Sequence, residues 1–167
     1  MTSHFARLAV GVLAAALLSA GAARAQSADT PPAAPAVPND ANTGLTPIQG
    51  DAVYHAFHEE AGVRRVVDRL VDRYQHDPRI ADIFRAGDTP HLKKMLSEEI
   101  CYAVGGPCHY TGQDMRTAHK DMGLQQADFN AVVEDLQWAM DREGVPVWAQ
   151  NKLLAKLAPL ERAVVTR

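Results

Sequence analysis

Residues 101–119 read CYAVGGPCHYTGQDMRTAH, and the reading of this stretch decides what the chain is. Cys101 and Cys108 flank a Gly-Gly-Pro break, and Met115 and His119 follow on a short polar turn. From the residues alone, three readings stand: a metal site, a disulfide loop, or a plain connection between helices.

Working outward, every periodic segment has the helical spacing. Leu92, Met95, Leu96 and Ile100 recur three and four apart just upstream, with Lys93, Lys94, Glu98 and Glu99 expected largely outward. Asp88 or Thr89 can cap this helix, with Pro90 at its first position, and Gly105-Gly106-Pro107 ends it. Further upstream, Val63, Val66, Val67, Leu70, Val71 and Tyr74 form one apolar face, stopped by Asp77-Pro78. A short connector, RIADIF, then ends at Phe84.

Downstream, Phe129, Val132, Val133, Leu136 and Met140 predict a third helix closed by Gly144. Pro146 opens a last helix with the stripe Leu153, Leu157, Leu160 and Val164, which Pro159 should bend. No alternating run long enough for a strand occurs, so the class is all-α. The segment from Gly105 to Gly123 is long and dotted with glycine. A loop of that length in a compact domain is usually functional or tied down.

The chain begins with the pattern of an export signal. His4 and Arg7 precede the apolar run Leu8–Ala20, too short to span a bilayer comfortably, and Ala23-Arg24-Ala25 supplies a cleavage site. The expectation is a signal peptide over 1–25, removed on export to a periplasmic or secreted location. A membrane association follows only if the signal is retained. No Cys follows the run, so the lipid-anchor pattern is missing. Residues 26–45 hold Pro31, Pro32, Pro35 and Pro38 among Ala, Ser and Asp, and predict a disordered, semi-rigid tether. Residues 46–167 remain for one small domain.

Removing Arg7 and Arg24 from the 17 basic residues leaves 15 against 20 acidic, a net charge of −5. With no basic run and no basic–aromatic interleaving, nucleic acid is a poor partner. Export also permits a disulfide. Cys101 and Cys108 then read as a structural bridge more readily than as a redox switch or a metal site with His109.

The pieces RVVDRLVDRYQHDPRIADIF (65–84), YAVGGPCHYTG (102–112), DMRTAH (114–119), ADFNAVVEDL (127–136) and the closing VP…LLAKLAPL together resemble a truncated haemoglobin of the first group. That family has the short two-over-two globin fold. The resemblance runs from about Val53 to Val165. It implies that His119 is the proximal histidine, tying haem iron to the chain, and that the bound porphyrin replaces missing core beside the loose segment. A neutral imidazole suits iron, and Met115 should share a helical face with His119. Without a C-x-x-C-H motif, the expected cofactor is non-covalent haem b. The resemblance places Phe84, Leu92, Met95, Leu96, Met115, Phe129 and Val133 around the haem, and Leu70, Val71 and Ile100 at the distal pocket. His4 falls in the signal region. The other histidines, His55, His58, His76, His91 and His109, should face solvent, with His91 reaching at most a haem propionate.

The distal side departs from the family pattern. Val71 stands where a tyrosine is usual, and Met95-Leu96 where a polar pair is common. Val71, Leu92, Met95 and Leu96 donate no hydrogen bond, so dioxygen, whose outer atom gains negative charge on ferrous haem, should be held weakly beside carbon monoxide and nitric oxide. Tyr74 and Tyr102 are the phenols near enough to compensate. His58-Glu59 replace the usual Gly-Gly, predicting a shorter or differently set first helix.

Three functions follow from the resemblance. The first is binding of small diatomic ligands at a five-coordinate iron. The second is nitric oxide detoxification or nitrite reduction at the same iron, needing an as yet unidentified reductase. The third is electron transfer with Met95 as a sixth ligand, against which stands the ordinary role of a methionine as core filler.

Overall fold

The computed structural model describes residues 38–167. The signal peptide of 1–25 and the first part of the tether lie outside the described residues. Eight α-helices follow in order: α1 (Ala52–Ala56), α2 (Glu59–Tyr74), α3 (Ala81–Phe84), α4 (Thr89–Ala103), α5 (Met115–Ala118), α6 (Gln126–Arg142), α7 (Val147–Leu157) and α8 (Glu161–Val164). No strand occurs among them. This is the all-α class that the periodicity predicts.

α2 is the central element because its apolar face is unbroken. Val63, Val66, Val67, Leu70, Val71 and Tyr74 are all buried, and α2 packs against both α4 and α6. Burying an aliphatic side chain of this size contributes roughly 1.5–3 kcal/mol, so this one stripe anchors the domain. α2 ends at Tyr74, ahead of Asp77-Pro78. α4 starts where its sequence signals put it: the Asp88 side chain accepts from the N–H of His91 at 3.0 Å, with Pro90 in the first turn. Gly144, at φ 72°, lies just past α6. At the C-terminal end, Ala158–Leu160 tighten into a 3-10 turn around Pro159, which divides α7 from α8.

α1 is only five residues long. His58 and Glu59 both hold left-handed backbone, at φ 59° and 60°, the conformation glycine adopts without cost. Gly62 then allows α2 to start: a Cβ there would overlap the Phe57 carbonyl and the His58 side chain. The first helix is therefore short because its exit bends through two non-glycine residues.

The predicted tether over 26–45 ends earlier than the composition suggests. Asp40–Thr43 form a 3-10 turn, Thr43 is fully buried, and the Asn39 N–H donates to the Tyr110 carbonyl at 2.7 Å. Asn42 Nδ2 donates to the Gly112 carbonyl at 2.9 Å, and the Asp40 carboxylate accepts from the N–H of Tyr110. Residues 39–43 are thus strapped across the loop after α4. A composition of Pro, Ala and Asp could not reveal this, because the partners are backbone groups about 70 positions away.

Candidate haem site

The loop after α4 is tied down in several ways. Cys101 and Cys108 are joined by a disulfide, with Cα atoms 5.8 Å apart. Gly105 takes φ 86°, and a Cβ on it would come within 2.6 Å of the Ile48 and Gly50 carbonyl oxygens. A Cβ on Gly106 would come within 2.7 Å of Cys101 Sγ. The Gly-Gly pair is a close-approach turn, with the preceding segment seated against it. His109 pairs with Asp40 at 2.9 Å instead of joining the cysteines. Among the described residues, no cluster of His, Cys, Asp and Glu is arranged to hold a metal ion.

The loop delivers His119. Asp114 caps α5, its carboxylate accepting from the Thr117 N–H at 3.0 Å and from the Thr117 hydroxyl at 2.6 Å. One turn later the half-buried imidazole of His119 places Nδ1 2.7 Å from the Met115 carbonyl oxygen. A carbonyl can only accept, so Nδ1 carries a proton and, in the neutral ring, the lone pair is on Nε2. A backbone carbonyl holding one ring nitrogen while the other faces a metal is how a ligating histidine is oriented.

The apolar residues assigned to the site fall into two groups. Leu70, Val71 and Ile100 are buried in the main core, and Phe84, Leu92 and Leu96 pack against it half-buried. Phe84 stacks on Tyr74, with ring centroids 4.4 Å apart. Met115 is buried but does not join that core, and Met95, Phe129 and Val133 are half-buried and also stand outside it. These apolar side chains on α4, α5 and α6 lie apart from the main core, beside the long loop after α4, where satellite clusters form. The residue chemistry suits a haem group: apolar side chains that would meet a flat ring, and an imidazole whose Nε2 would hold its metal.

Several placements refine the sequence reading. His55, His58, His76, His91 and His109 are all exposed, as expected. Tyr102 lines an open surface groove with Gly105, Gly106 and Pro107, whereas Tyr74 is buried, and burial raises its phenol pKa. The Met95 sulfur packs toward Gly112, 2.8 Å from where a Cβ would sit. Glu99, expected to point outward, is buried. It sits three and four residues after Leu96 and Met95, on the inner face of α4. Tyr110, which periodicity could not single out, is also buried, its hydroxyl donating to the Gln113 carbonyl at 3.0 Å.

An all-helical fold, a histidine oriented by a backbone carbonyl, and apolar side chains on α4, α5 and α6 outside the main core are the features of a haem protein of the globin class. The bacterial-like globin family matches residues 52–166, and the chain belongs to it as a truncated two-over-two globin of group 1. The group 1 truncated haemoglobin of Synechocystis is 34% identical over 119 residues, spanning 66% of this chain and 90% of that protein. The group 1 protein of Tetrahymena pyriformis is 30% identical over 93 residues, or 56% of this chain and 77% of that one. The crystal structure of the Tetrahymena pyriformis protein superposes with a TM-score of 0.66 at 25% identity, covering 69% of this chain and 98% of that chain. A two-over-two haemoglobin from Synechococcus, described with covalently attached haem, shares the fold with a TM-score of 0.63 at 22% identity. The protein is a haem-binding globin.

Proposed function

We propose that the domain holds haem b without a covalent bond, with Nε2 of His119 as the proximal ligand, and binds small diatomic ligands on the opposite side. The observation that carries this reading is the 2.7 Å contact between His119 Nδ1 and the Met115 carbonyl, which fixes the ring and, in the neutral imidazole, puts the lone pair on Nε2. Bound haem would supply a redox-active iron able to take a small ligand, which His119 would tie to the chain. The chain's own residues do the rest. Asp114 and Thr117 hold the α5 turn, and the Met115 carbonyl raises the basicity of the imidazole by accepting a hydrogen bond from Nδ1–H. Phe84, Leu92, Leu96, Phe129 and Val133 exclude water from the ring's faces. On the distal side Val71, Leu92, Met95 and Leu96 offer no hydrogen bond, so carbon monoxide and nitric oxide are favoured over dioxygen.

The same proposal places the protein outside the cytoplasm. The basic–apolar–Ala-x-Ala leader supports export, and the Cys101–Cys108 bridge suits an oxidising compartment.

The test is an optical spectrum of the haem-loaded chain, reduced anaerobically, before and after carbon monoxide. A five-coordinate ferrous spectrum that shifts at once supports this function. A six-coordinate ferrous spectrum that shifts slowly, and becomes five-coordinate in Met95→Ala, replaces it with an electron-transfer centre. His119→Gly should lose stable haem and regain a five-coordinate spectrum when imidazole is added. Rescue by imidazole separates a lost ligand from a lost fold.

A further inference from the structure

α4 carries one residue that its amphipathic pattern does not account for. Glu99 belongs by sequence to the polar face, yet it is 8% exposed, inside a helix whose outer positions Lys93 and Lys94 find partners at the surface. Its neighbour Glu98 takes the structural role, accepting from the N–H and the hydroxyl of Thr111 at 2.9 and 2.7 Å. Glu99 therefore holds neither a loop nor an ion pair.

What faces Glu99 is weakly polar and carries no positive charge. From α2 comes Tyr74 and from the loop before α5 comes Tyr110, both buried phenols whose ionisation the Glu99 carboxylate opposes. Asp135 of α6 and Asp114 act on those same phenols, with the same sign. α7, also packed against α4, buries Ala149, Gln150 and Leu153, with Lys152 exposed and Lys156 half-buried. No cation or donor among the described residues offsets the burial of Glu99, and burial alone pushes its carboxyl up to about 7. Near neutral pH the group is an acid with a proton to offer.

Its position gives that proton a destination. Glu99 follows Leu92, Met95 and Leu96 by seven, four and three residues, so it continues the stripe assigned to the distal side of the haem. A buried carboxyl without a partner costs stability and is rarely kept in a core without use.

We propose that Glu99 is the polar, specificity-determining residue of this otherwise apolar pocket, donating a hydrogen bond in its protonated form to a haem-held small ligand whose outer atom carries negative charge. The inference rests on the haem-binding function proposed above. It adds that retention of dioxygen-like or anionic ligands is strong when Glu99 is protonated and is lost as pH rises through its titration. Carbon monoxide, nearly neutral at its outer atom, reports the field without depending on it.

The experiment is an infrared titration of the C–O stretch in the ferrous carbon monoxide complex of the full chain, from pH 5.5 to 8.5. The wild type should show two bands exchanging with a midpoint near 7. Glu99→Gln and Glu99→Leu should each show a single band that does not move with pH, while Tyr74→Phe keeps both. At pH 6, dioxygen should leave Glu99→Leu about five- to tenfold faster than the wild type, the worth of one hydrogen bond. A second readout needs no haem: a carboxyl carbon signal in the haem-free protein that titrates near 7 and vanishes in Glu99→Gln. A pH-independent band in the wild type, an unchanged titration in Glu99→Gln, or loss of the effect in Tyr74→Phe overturns the proposal. Failure of the wild type to bind haem would instead sink the function beneath it, and is seen before any variant is made.

Discussion

The Asp40 carboxylate accepts a hydrogen bond from the backbone N–H of Tyr110 at 2.7 Å, across 70 positions of chain. The segment it stands on would otherwise read as the end of a tether. The same carboxylate holds the His109 imidazole, and these two contacts, that to His109 first, keep its pKa below the usual carboxylate range. Residues 39–43 therefore act on the loop that leads to His119.

Asp40→Ala should lower stability by about 1 kcal/mol, a modest figure because the carboxylate is partly exposed. A depressed folded-state pKa contributes stability that is present above the unfolded value and is lost as pH falls through the folded one. The difference between Asp40→Ala and the wild type should accordingly begin to narrow as pH falls below about 4. Urea unfolding at pH 7 and at pH 3.5 checks it, and an equal gap at both would contradict the assignment.

The Cys101–Cys108 bridge closes a loop of eight residues. Chain entropy alone gives it about 2–3 kcal/mol. Cys101→Ser with Cys108→Ser should unfold at correspondingly lower urea, and reductant should have no further effect on the variant. Haem dissociation should also be faster, because the bridge anchors the start of the loop that carries His119.

His58 and Glu59 hold left-handed backbone that costs a non-glycine residue about 1–2 kcal/mol. Glycine at either position relieves the strain but loosens the unfolded chain. His58→Gly and Glu59→Gly should each gain about 0.5–1 kcal/mol, read as a rise in melting temperature. Destabilisation by both would show that the bend is held by side-chain contacts instead.

Arg73 reaches the fully buried Asp135, with Nε 2.6 Å from Oδ1, while its guanidinium lies 4.6 Å above the Trp138 ring. Among the described residues, Asp135 Oδ2 has no hydrogen-bond partner, and Arg73 is the nearer of two arginines at this carboxylate, with Arg79 at 4.0 Å. Arg73→Met should cost about 2–4 kcal/mol by stranding a buried charge. Adding Asp135→Leu should recover most of that loss, and a double variant no better than the single would refute the coupling.

Much of the fold was legible because its determinants are local. Period-3.6 stripes, Asp88 with Pro90, Asp77-Pro78, Gly144 and Pro159 act within a turn of the helix ends they set, and each end lies where those residues put it. The role proposed for His119 rests on DMRTAH, since an isolated histidine on a polar turn carries no signal of its own. Glu99 was misread as an outward residue. Charge is a good proxy for exposure, and nothing in the neighbouring residues announces that this glutamate is turned inward.

By itself, then, the sequence determined the helices and their order, consequences of short-range sterics and apolar periodicity. Only the tertiary structure decided which groups meet across long separations. It set Asp40 on Tyr110, His119 Nδ1 on a carbonyl that frees Nε2, and Glu99 among buried phenols with no cation. Burial and hydrogen bonding depend on what packs overhead, and a linear pattern does not carry that information.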